Sequence, residues 1–144
     1  MRDVQRILLE EGDKIILDFF KLKNYFIRVD GKWEMEIMPV VVQDIITKEV
    51  LILAYVNKEA LAYSLANRVA AFWSTSRNEL WIKGLTSGSY LKLIEIRVNC
   101  DQNSLLYLVE PVNNSGACHT KDKNGYRAGC YYRRMLTNGK LEKV

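Results

Sequence analysis

An α+β fold, mainly antiparallel sheet with a few helices, is what three patterns in this 144-residue chain predict. Residues 4–23 carry apolar side chains at helical spacing. From Pro39 onward the chain reads as short, β-rich apolar runs of strand length. Between those runs lie compact turn signals that reverse the chain onto its neighbour.

Each element can be justified in order. Val4, Ile7, Leu8, Ile15, Ile16, Phe19 and Phe20 recur near a 3.6-residue period, and Gly12-Asp13 is a point at which the helix divides in two. Tyr25 to Val29 and Trp33 to Ile37 flank Asp30-Gly31, a hairpin signal, with Trp33, Met35 and Ile37 alternating with charged residues. Val40 to Asp44 and Val50 to Val56 read as strands around the turn Ile46 to Glu49. Asn57 is an N-cap residue type, and Lys58 to Asn67 follows as a helix with Ala60, Leu61, Ser64 and Leu65 on one face. Val69 to Ser74 and Leu80 to Lys83 are strands around Arg77-Asn78, and Gly84 to Ser89 is a Thr/Ser/Gly loop. Tyr90 to Val98 and Ser104 to Glu110 form a long hairpin joined at Cys100 to Asn103, and Tyr131 to Leu136 is a last strand. The division expected is residues 1–37 as an N-terminal helical extension and hairpin, and 38–144 as the main domain.

Composition bounds the function. The length allows one domain to close its own core without covalent staples. The longest apolar runs fall far short of a membrane span, and the first residues lack a signal-peptide pattern, so cytoplasmic residence without a membrane partner is expected. A net charge of +4 suits a phosphorylated small molecule as readily as nucleic acid and does not choose between them. Three cysteines cannot complete an intrachain disulfide set; metal ligation, a reactive thiol and burial in the core stay open.

Two of those cysteines and the chain's single histidine lie close together, in Gly116-Ala117-Cys118-His119-Thr120 and, across a polar loop, Cys130. Cys100 stands upstream, beside Asp101 at the hairpin tip. A catalytic zinc takes three protein ligands and leaves the fourth place to water, and Cys100, Cys118 and Cys130 meet that count. Their spacings are long and no Cys-x-x-Cys pair occurs; the His-x-Glu with Pro-Cys-x-x-Cys pattern of zinc deaminases is also missing. Scattered cysteines are more often three core residues. Turn-like context around Cys118 and the exposed setting of Cys100 favour the metal reading.

Several blocks together resemble the phosphoribosyl-AMP cyclohydrolase family, over about residues 38–135 in unbroken order. They are Val41-Val42-Gln43-Asp44, Val50 to Leu61, Phe72-Trp73-Ser74-Thr75-Ser76-Arg77, Leu80-Trp81-Ile82-Lys83-Gly84, Thr86-Ser87-Gly88, Asn99-Cys100-Asp101, Ala117-Cys118-His119-Thr120 and Cys130-Tyr131-Tyr132-Arg133. The resemblance implies hydrolytic opening of the purine ring of phosphoribosyl-AMP between N1 and C6, a step of histidine biosynthesis. It also implies an intertwined homodimer whose zinc site is shared, Cys100 from one protomer and Cys118 with Cys130 from its partner. His119 is then the candidate proton-handling catalytic residue. Trp73, Ser74, Ser76, Arg77, Lys83, Thr86, Ser87 and Gly88 are the candidate substrate-binding set, because hydroxyls, glycine-loop N–H groups and two cations suit phosphate and ribose.

The chain departs from the family in that same region. Where members usually hold magnesium with Asp-Cys-Asp-x-Asp, it has Asn99-Cys100-Asp101-Gln102-Asn103, which leaves a magnesium site on Asn99, Asp101 and Asn103 two charges weaker. Ser74-Thr75-Ser76-Arg77 and Trp81-Ile82-Lys83-Gly84-Leu85 lose two arginines and a glutamate, and the segment Lys121 to Gly125 is longer. Two further readings therefore stand beside the cyclohydrolase: a paralogue acting on a related purine nucleotide or nucleoside, and a non-catalytic, zinc-stabilised nucleotide-binding domain.

Overall fold

The computed structural model describes residues 3–22, 36–113 and 116–144. Helix α1 (Val4–Glu11) comes first, capped by the Asp3 carboxylate, which accepts the Arg6 N–H. Strands β1 (Met38–Asp44) and β2 (Val50–Val56) follow, then helix α2 (Lys58–Asn67). Next come β3 (Ala71–Ser74), β4 (Glu79–Ile82), β5 (Leu91–Val98) and β6 (Leu105–Pro111). Four short strands finish the chain: β7 (Lys121–Asp122), β8 (Gly125–Tyr126), β9 (Arg133–Met135) and β10 (Leu141–Lys143). The α+β class and the largely antiparallel pairing are as the sequence predicts. No helix among the described residues is long and apolar enough to cross a membrane.

The central sheet runs β2-β1-β6-β5. Its β1–β6 pair is parallel, the exception to an otherwise antiparallel architecture. Alternation explains which face is covered: Val40 and Val42 of β1 and Leu105, Tyr107 and Val109 of β6 are buried, with Leu51, Ile52, Ala54 and Val56 beside them on β2. The β3–β4 hairpin is joined to this sheet through Phe72, which contacts Trp81 within the hairpin and stacks across to Tyr107 of β6. Phe72 packs 5.3 Å from Trp81 and 6.0 Å from Tyr107, ring centre to ring centre.

Helix α2 starts where expected, with Asn57 Oδ1 accepting the Ala60 N–H at 2.9 Å. It ends at Arg68 in the left-handed region (φ 57°), which turns the chain so that the Ala70 N–H donates to Leu91 O and the Leu93 N–H to Arg68 O. Its inward face is centred on Ala60 and Ser64, both fully buried. Leu61 packs partly against the core, but Leu65, expected beside it, is half exposed because it lies one position round from the Ala60–Ser64 line.

The N-terminal helix is shorter than the apolar period suggests. It stops at Glu11, Gly12 is extended, and residues 15–18 have no regular structure. Tertiary hydrogen bonds from Gln102 take up the backbone there, and Phe19 reaches the main core, 4% exposed. The hairpin expected at Tyr25 to Ile37 lies outside the described residues up to position 35. The polar linker after His119 is a small β7–β8 hairpin, and the last expected strand is β9, paired with β10.

Candidate active site

Three close backbone approaches assemble the cysteine pair. The Cys130 N–H donates to Leu51 O of β2 at 2.7 Å, so Cys130 hangs on the sheet edge. Opposite, Ala117 N–H donates to Ala128 O at 3.0 Å and Cys118 N–H to Arg127 O at 3.2 Å, which fastens the Cys118 turn to the segment leading into Cys130. Gly116 makes that possible: a Cβ there would stand 2.0 Å from Arg127 O.

Cys118 is 3% exposed and its sulfur is bracketed by Thr120, whose hydroxyl lies at 2.9 Å and whose N–H donates at 3.4 Å. Burial pushes this thiol up, but Thr120, Cys130 and the Arg127 guanidinium together outweigh it and hold Cys118 below its ordinary value. Cys130 is an exposed residue, yet it moves the other way, up to about 11, because its sulfur side is partly desolvated against the cleft and the charge of Cys118 lies beside it. Of the two adjacent thiols, Cys118 ionises before Cys130, and its charge makes the second ionisation harder unless a cation joins them.

Lys83 supplies a positive charge beside the pair. It is buried, and its Nζ donates to Ser89 O at 3.2 Å. Burial lowers its pKa, while the charges of Cys118 and Cys130 oppose that shift. Gly84 (φ 89°) sets the return of this loop, since a Cβ there would lie 2.4 Å from the Ser89 carbonyl carbon.

A cleft of about 450 Å³ gathers Arg77, Lys83, Thr86, Ser87, Cys118, His119 and Cys130, with Leu80, Trp81, Leu85 and Tyr126 as apolar wall. It is of a size that holds a small organic ligand. A larger hollow of about 900 Å³, bordered by Lys121, Lys123, Arg127, Tyr131, Tyr132 and Lys143, contains no thiol or imidazole; the reactive groups are in the smaller cleft.

Other expected site residues lie outside this lining. Ser74 Oγ accepts from Arg77 N–H at 3.3 Å and from Arg77 Nε at 3.4 Å, so Ser74 holds Arg77, and Ser76 Oγ lies 3.4 Å from the Ser74 hydroxyl. Trp73 donates its indole N–H to Asn78 at 3.0 Å and borders a separate hollow, and Gly88 (φ 76°) shapes its loop. Cys100 is exposed at the β5–β6 tip, in a shallow hollow with Leu9, Glu10, Asn99 and Gln102. Among the described residues no three His, Cys, Asp or Glu side chains converge as a metal site. One chain brings together Cys118 and Cys130 and leaves Cys100 elsewhere.

The model of the family described as phosphoribosyl-AMP cyclohydrolase matches residues 52–132, a span that takes in every element of this cleft. The chain belongs to the phosphoribosyl-AMP cyclohydrolase family. Curated relatives with that name include a protein of Archaeoglobus fulgidus, 48% identical over 102 residues, which cover 71% of this chain and 88% of the relative. A Methanosarcina barkeri relative is 49% identical over 129 residues, covering 90% and 88%. One from Chlorobium chlorochromatii is 42% identical over 106 residues, covering 74% and 72%.

Sequence reasoning missed Thr120, Gly116 and Arg127 as builders of the site. Thr two residues after a cysteine is a readable turn signal. Gly116 and Arg127 were not readable, because their roles depend on a contact between segments eleven residues apart.

Proposed function

We propose that this chain is a zinc-dependent phosphoribosyl-AMP cyclohydrolase that opens the purine ring between N1 and C6, working as a homodimer with a shared metal site. The observation that carries the reading is the pairing of Cys118 with Cys130 in the cleft that also holds His119, Lys83 and Arg77, in a chain of this family. The donor set fits zinc: two soft thiols lie side by side, and the second resists ionisation without a cation. The exposure of Cys100, on a tip away from the cleft, supports a role toward a partner's cysteine pair rather than its own.

Zinc, when bound, supplies the Lewis acidity that makes water a nucleophile near neutral pH. The chain's own groups do the rest. Arg77, Thr86 and Ser87 bind the phosphorylated end of the nucleotide, charge and hydroxyls matching phosphate oxygens. Trp81, Leu80 and Leu85 offer apolar surface to the base and exclude water from it. His119, exposed at the cleft beside Cys118, exchanges a proton with a ring nitrogen as the C6–N1 bond breaks. Lys83 balances thiolate charge from a buried position.

The test is metal content of purified protein with and without a chelator, together with turnover of phosphoribosyl-AMP. About one zinc per chain and chelator-sensitive turnover are expected. Cys118→Ala with both zinc content and turnover intact overturns the reading. Zinc without turnover on this nucleotide overturns the substrate assignment and points to a related purine. Sharing is tested by co-expressing Cys100→Ala with Cys118→Ala: heterodimers regain one whole site, giving about a quarter of wild-type activity with random pairing. No recovery means that Cys100 serves its own chain.

A further inference from the structure

The tip between β5 and β6 is wired to the N-terminal segment, and that wiring uses the atoms a cation would need. Asn99 Oδ1 accepts the Asn103 and Ser104 N–H groups at 2.9 and 3.0 Å, which fills both its lone pairs and fixes the amide's orientation. Asn99 Nδ2 in turn donates to Asn103 Oδ1 at 2.7 Å. The one carboxylate of the trio, Asp101, accepts from Arg6 Nη2 at 2.8 Å, and Arg6 Nε donates to Glu10 at 2.6 Å. A hard divalent cation needs six or so oxygen ligands, mostly charged or free to turn inward. Here one amide oxygen is saturated, the second faces an NH₂ group and the carboxylate is bridged by a guanidinium. These residues do not fit magnesium.

Gln102 is the second anchor. It is 6% exposed in a left-handed conformation (φ 51°), and all its side-chain groups face the N-terminal segment. Nε2 donates to Leu9 O and Lys14 O, both at 3.1 Å, and Oε1 accepts the Ile16 N–H. Its backbone carbonyl accepts the Asp18 N–H at 2.8 Å. A buried amide with every polar atom used on one segment is a docking device: leaving those atoms unpaired costs far more than the bonds return.

We propose that Arg6, carried on α1 and docked by Gln102, takes the place of a divalent cation at the Asn99–Asn103 tip, so that this chain orders its Cys100 loop with its own N-terminal segment. The guanidinium contributes a permanent charge and directional N–H donors, where a cation contributes two charges and exchangeable ligands. With Asp101 the sole charge of the trio, one guanidinium matches it. The inference rests on family membership for its contrast with a cation site and does not depend on zinc chemistry or on turnover.

The test uses the full chain as purified and magnesium chloride as the probe. Wild-type melting temperature is expected to move by less than about 1 °C up to about 10 mM magnesium. Arg6→Ala removes the guanidinium from Asp101, and its melting temperature is expected to lie about 1–3 °C below wild type with no recovery on the same titration, because the Asn99 and Asn103 oxygens stay committed. Chymotrypsin should cut Arg6→Ala near Phe19 and Phe20 at least about threefold faster than wild type, because the segment opens more often. A saturable rise for the wild type that Asp101→Asn abolishes would show a working cation site and overturn the proposal. Arg6→Ala with wild-type melting temperature and wild-type cleavage overturns it too. Neither readout involves the catalysed reaction, so failure here and failure of the cyclohydrolase reading are distinguishable.

Discussion

Ser64→Ala probes the joint between helix α2 and the start of β3. Ser64 Oγ accepts the Ala71 N–H at 2.9 Å, with Ala60 O at 3.0 Å and Ala71 O at 3.2 Å as acceptors for its proton. Ser64, Ala60 and Ala71 are all fully buried, so water cannot replace the hydroxyl. The substitution leaves the Ala71 N–H without a partner, a loss of about 1–3 kcal/mol. The better helix propensity of alanine returns up to about 0.5 kcal/mol, for a net loss of about 2 kcal/mol. For a chain of this size that lowers the melting temperature by about 6–8 °C. Urea unfolding followed by tryptophan fluorescence, at fixed protein and zinc concentrations, measures it. A loss under about 0.5 kcal/mol with an unchanged slope would refute the reasoning, since the Ala71 N–H would then have another partner. Turnover at 25 °C should follow the folded fraction, because Ser64 secures the start of β3 and touches no cleft atom.

Gly116→Ala should separate the Cys118 turn from Arg127. With the new Cβ 2.0 Å from a carbonyl oxygen, we expect about 1–3 kcal/mol lost and zinc content at least halved, read by unfolding and metal analysis. Tyr107→Phe should act in the opposite direction. Tyr107 Oη is the one buried side-chain polar atom without a hydrogen bond among the described residues, burial holds its pKa up at about 12, and the nearby Ser64 hydroxyl is already committed to Ala60 and Ala71. Removing it should stabilise by about 1 kcal/mol in the same urea assay, and a loss of that size would mean that the hydroxyl is satisfied.

Much of the fold is legible residue by residue. Asn57 announces α2, the run Val40-Val41-Val42 announces β1, and Arg77-Asn78 announces the β3–β4 turn, because caps, strand-forming runs and tight turns are decided within a few residues. The apolar period of residues 4–23 misleads past Glu11: Gln102, some ninety residues on, captures the backbone that a second helix would have used. Leu65 misleads for a similar reason, since the helix's inward face is chosen by the close fit of Ala60 and Ser64 against β3.

The site divides along the same line. Cys118, His119, Cys130, Lys83 and Arg77 can be picked out as candidates from residue type and the family resemblance. Where they meet cannot. Hanging Cys130 on Leu51, pressing Gly116 against Arg127 and pairing Asp101 with Arg6 are contacts between segments that no local preference encodes. They arise when burial of Val40, Phe72 and Tyr107 brings distant backbone together and every buried donor must find its acceptor.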